Sequence, residues 1–138
     1  MRILVTLILL IAVAAVPFCK KAAAPDAPAA RVSFTQPTDG ATVVSPVKVG
    51  MSVEGMSVRP AGEIVPGTGH FHILIDVDTP EEGKVVPADD KHKHYGKGQT
   101  ETELELKPGQ HKLTLLFADG MHQSYGPKMA QTIQVTVK

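Results

Sequence analysis

From Arg31 onward the apolar positions fall into short runs rich in Val, Ile, Thr and Leu. Gly, Pro and Asp break these runs about every 8 to 12 residues, which is the spacing of antiparallel β structure. No stretch keeps a helical period. The runs predict strands at Val32–Thr35, Val47–Val53, His70–Val77, Thr102–Leu106, His111–Phe117 and Ile133–Val137. The last is plainly two-faced: Ile133, Val135 and Val137 alternate with Thr132, Gln134, Thr136 and Lys138, so one face is buried and the other wet. Turn chemistry agrees, with Pro37-Thr38-Asp39-Gly40, Lys107-Pro108-Gly109 and Ala118-Asp119-Gly120 lying where strands should end. About seven short strands in roughly a hundred residues predict an all-β domain, a small immunoglobulin-like antiparallel β-sandwich. A small barrel would give much the same pattern.

The first thirty or so residues follow another rule. One basic residue, Arg2, precedes an apolar run from Ile3 to Val16, the layout of a secretion signal. A spanning helix needs about 20 apolar residues, and this run stops short of that before Pro17, although an uncleaved anchor is the alternative. Cys19 is the one cysteine, so the mature domain holds no internal disulfide and rests on packing. Its place after the apolar run and before Lys20 and Lys21 resembles the lipidation cysteine of bacterial lipoproteins. Phe18 stands where that class usually carries Gly, Ala or Ser, and simple cleavage is the competing reading. An Ala/Pro-rich tether follows, as suits a domain standing off from a membrane. The expected organisation is a signal over 1–19 with lipidation at Cys19, a tether over 20–30 and a β-sandwich over 31–138. The expected location is exported, in the periplasm or at the outer surface, with the membrane touched only through the N-terminal anchor.

Fourteen Lys and Arg balance fourteen Asp and Glu, so no global field draws in nucleic acid. Trp is absent and aromatics make up 4%, which disfavours stacking platforms for bases or sugars. Catalysis has little local support. There is no Gly-x-Ser-x-Gly elbow, no cysteine nucleophile in the mature domain and no phosphate-cradling glycine loop. A three-histidine hydrolytic zinc site with Glu101 or Asp119 as base is the one enzymatic form the residues allow.

Two irregular stretches, Thr79 to Thr100 and Ala118 to Ala130, interrupt the strand rhythm, and such segments on a rigid scaffold commonly carry binding sites. All six histidines lie between His70 and His122, four of them in two His-x-His pairs. Residues two apart in a strand share a face, so His70 and His72 project side by side, opposite Phe71, Ile73 and Ile75, which take the core face. His92 and His94 do likewise if their segment is extended. Neutral imidazole suits copper and zinc, and a thioether such as Met121 would tilt a site toward reduced copper. The candidate ligands are therefore His70, His72, His92, His94, His122 and Met121. Asp76 and Asp78 are candidates for orienting imidazoles. His111, at a strand start, reads as structural, and Met51 and Met56 as packing residues.

Gly69-His70-Phe71-His72-Ile73-Leu74-Ile75-Asp76 is the first of several motifs in order along the chain. The block His92 to Glu101, the Pro-Gly-x-His of Pro108 to His111, and Asp119-Gly120-Met121-His122-Gln123-Ser124-Tyr125-Gly126-Pro127 complete the set. Together they resemble a bacterial exported family of unknown function, the DUF4399 type, over about Val32 to Lys138. The resemblance implies a small periplasmic or lipid-anchored β-sandwich with no assigned reaction. It sets His70, His72, His94, His111 and His122 in the family's motif positions. The expectation is an exported module that binds copper or zinc through His and Met. The alternative is a non-catalytic structural module that meets an envelope protein partner.

Overall fold

The structure, a computed structural model, describes residues 29–138. The expected signal, Cys19 and most of the tether lie outside the described residues. Among the described residues, no helix is long and apolar enough to cross a membrane.

Among the described residues nine strands follow one another: β1 Arg31–Gln36, β2 Ala41–Val43, β3 Val47–Glu54, β4 Ser57–Val58, β5 Thr68–Ile75, β6 His92–Tyr95, β7 Glu101–Leu104, β8 Gly109–Ala118 and β9 Ala130–Val137. The described residues are all-β apart from a 3-10 turn at Pro127–Met129. All six runs expected from periodicity are strands. The additions, β2, β4 and β6, are two to four residues long. One sheet runs β1-β3-β7, antiparallel throughout. The other runs β2-β9-β8-β5, with β4 and β6 sharing the outer edge of β5. Its long pairings are antiparallel, while the short strands β2 and β4 pair in parallel.

The main core fills the space between the sheets. Val47, Val49, Met51 and Leu104 meet Phe71, Ile73, Leu113, Leu115, Phe117, Ile133 and Val135 there. β9 shows the expected alternation, with Ile133, Val135 and Val137 buried.

β5 does not alternate between buried and wet. From Gly69 to Ile75 every residue is buried, because a second, smaller core of Leu74, Val86, Leu116 and Ala118 lies on the outer face of the large sheet. The cover is the strap between Asp76 and Asp90. Asp76 opens it with a left-handed backbone (φ +57°), its amide held by the Lys112 carbonyl. Hydrogen bonds from Val86 N to His122 O and from Ser124 N to Lys84 O fasten the strap to the turn after β8. His70 and His72 thus sit on an outward face that the chain has roofed over.

Candidate metal centre

Three separate segments deliver imidazoles to one place under that roof. His70 and His72 come from β5, two apart and on one face. β6 pairs antiparallel with β5 so that His94 lies directly opposite His72. Tyr95, the next residue, is buried in the main core, and that fixes His94 on the outer face. His122 comes from the turn after β8. It adopts a left-handed conformation (φ +65°) that non-glycine residues enter at a cost of about 1–3 kcal/mol unless their surroundings impose it. Asp119 imposes it here: its Oδ1 accepts the amides of Met121 and Gln123, both at 2.9 Å, and its carbonyl accepts the His122 amide at 3.0 Å.

The four rings crowd together. Centroid separations within the trio His70, His94 and His122 are 5.0, 5.0 and 4.7 Å. An imidazole bound to zinc at about 2.0–2.1 Å has its centre about 3.2 Å from the metal, so tetrahedral partners lie about 5.2 Å apart, close to the observed triangle. One nitrogen from each of these three residues lies within 4.8 Å of the others. His72 stands beside the trio, 4.9 Å from His70 and 5.1 Å from His94 but 5.9 Å from His122.

The electrostatics keep His70, His72 and His94 in the form a metal needs. Burial and the neighbouring His94 and His122 push His70 down to about 4. Burial and the other histidines push His72 down to about 3. His94 is lowered by burial and by His122. At neutral pH His70, His72 and His94 therefore present lone pairs, and binding a cation need not first expel protons from these three.

The Nε2 nitrogens face one another in pairs. His72 Nε2 faces His70 Nε2 at 3.0 Å, and His122 Nε2 faces His94 Nε2 at 3.1 Å. Each such contact uses one proton and one lone pair. The Nδ1 atoms of His70 and His72 are buried with no partner.

A family model for DUF4399, a domain of unknown function, matches residues 49–138. The chain belongs to the DUF4399 family. The matched region contains all six histidines and every strand from β4 onward. No curated protein and no solved structure matches the chain.

In this DUF4399 domain the other nominated residues are placed as follows. His92 shares the outer face of β6 but lies opposite Leu74, and its Nδ1 bonds Asp89 Oδ1 at 2.7 Å. Met121 adjoins His122 with its side chain turned out, the residue being 53% exposed. Asp76 and Asp78 do not orient the cluster: Asp76 binds His111 and the Lys112 amide, and Asp78 pairs with Lys112 Nζ. Glu101 is on β7, in the other sheet. Asp119 is spent on the backbone of the His122 turn. His111 is structural, bonded to Asp76 and the Lys107 carbonyl.

Sequence reasoning missed Gly96. A Cβ there would run into the His94 ring, so this glycine gives the imidazole its room. The irregular stretch Thr79 to Thr100, singled out from the sequence, supplies Val85, Val86, Pro87 and Ala88 as the wall of a cavity beside His72, His94 and His122.

Proposed function

We propose that this chain is an exported metal-binding module that holds one copper or zinc ion through His70, His94 and His122, with His72 beside them. The observation that carries the reading is the convergence of imidazoles from three segments at a spacing suited to one ion. The amino-terminal apolar run and Cys19 support an envelope location with a lipid anchor.

The alternative is a structural or partner-binding module, favoured by the Nε2–Nε2 contacts that join the rings in pairs. Against it stands the arrival of three rings from separate segments at the spacing of ligands around one ion.

The test is metal content by mass spectrometry on the full-length chain, purified without a histidine tag, beside His94→Ala. One equivalent of copper or zinc in the parent and none in the variant is expected. A parent that retains no metal, and takes up none on titration, overturns the reading. For the anchor, Cys19→Ser should move the chain from the membrane fraction to the soluble one.

A further inference from the structure

A cavity of about 210 Å³ borders the cluster, lined by His72, His94 and His122 and by the strap residues Val85 to Ala88; His70 does not line it. None of its lining residues is a carboxylate or a cation. The nearby acids are engaged elsewhere, Asp119 with backbone amides and Asp89 with His92.

Two physical demands meet in this cavity. A dication held by three neutral rings keeps its full charge in a partly desolvated place, and that charge calls for an anion. The strap contributes Val85, Val86, Pro87 and Ala88, which call for an apolar body. We propose that the ion keeps its fourth coordination position open to this cavity and binds there a short-chain monocarboxylate, head on the metal and alkyl tail along the strap. The proposal rests on the metal-binding reading and deepens it. His72 then lines the cavity as a neighbour and does not close the site as a fourth ligand. Its larger distance from His122 agrees with that role. Val85 is 64% exposed, so the wall can be altered without disturbing the core.

The experiment uses the full-length chain loaded with cobalt(II), whose visible d–d bands report coordination. Acetate and butyrate are titrated in turn. Both should shift the bands saturably, and butyrate should bind several-fold more tightly, since each fully buried methylene is worth about fourfold. Val85→Ser, which shortens the apolar wall without adding a charge, should weaken butyrate toward acetate. Bands that ignore both anions in the parent but respond in His72→Ala would show that His72 is the fourth ligand and overturn the proposal, with metal binding intact. Bands that respond equally to acetate and butyrate overturn the apolar-tail assignment. Failure to bind cobalt at all overturns the metal reading and this inference with it.

Discussion

Replacing both buried histidines of β5 with leucine separates a functional cluster from a stabilising one. In His70→Leu/His72→Leu, one hydrogen bond of about 0.5–1.5 kcal/mol is lost, together with both orphaned Nδ1 atoms, each of which carries a desolvation penalty of about 1–3 kcal/mol. Leucine suits the apolar surroundings of Leu74, Leu116 and Ala118 on that face. With chelator present near neutral pH, the double variant should be as stable as the parent or more so, by up to about 2 kcal/mol.

The acid response should change with it. Both rings have folded pKa values below the unfolded 6.5, about 4 for His70 and about 3 for His72. Below 6.5 the unfolded chain binds protons that the folded chain refuses, so stability is full above 6.5 and falls as pH drops toward the folded values. Between about pH 7.5 and pH 5 each ring removes about 2 kcal/mol, a large part of a small domain's stability. Urea unfolding at both pH values, followed by far-UV circular dichroism, measures this in parent and variant. A parent whose two curves superimpose refutes the burial argument. A variant destabilised by more than about 2 kcal/mol near neutral pH refutes the functional reading and leaves the rings as a structural network.

Gly96→Ala puts a methyl where the His94 ring lies, so copper or zinc affinity, read by competition with a chromophoric chelator, should fall at least about tenfold with little change in urea midpoint. Asp119→Ala removes the carboxylate that holds the left-handed His122 turn. Amide exchange at 121–124 should accelerate and stability should fall by about 1–3 kcal/mol. His111 faces an acceptor with each nitrogen, the Asp76 carboxylate and the Lys107 carbonyl, and a neutral ring has one N–H for the two, so its pKa is raised. Its contribution is therefore present below 6.5 and lost as pH rises through the raised value. His111→Gln should destabilise most near pH 6, and urea midpoints that differ equally at about pH 6 and pH 9 would refute the ion pair.

Much of this fold was legible because the strands that build the main core carry their period in their own sequence. Ile133, Val135 and Val137 announce β9 by themselves, as Phe71, Ile73 and Ile75 announce the inner face of β5. The outer face of β5 was not legible, since its cover comes from Val77 and Val86, isolated apolar residues in a polar loop whose value appears once they meet Leu74 and Leu116. β6 carries the sequence His-Lys-His-Tyr, which has no strand signature and becomes a strand by pairing with β5.

The histidines show the same division between what spacing states and what pairing decides. The two His-x-His motifs correctly imply that His70 and His72 share a face, as do His92 and His94. Which of them meet depends on register. Because His94 opposes His72, His92 is carried to Leu74, about 7 Å farther along β5, and Asp89 takes its ring there. A slip of one residue would turn His94 inward and Tyr95 outward. The burial of Tyr95 against the main core is thus what aims His94 at the cluster. His122 needed more again: a left-handed residue in a turn clamped by Asp119, a placement that neither strand periodicity nor histidine spacing encodes. A site assembled from one sheet edge, one central strand and one strained turn can be nominated from residue types, but the hydrogen-bond register and the turn select which nominees converge.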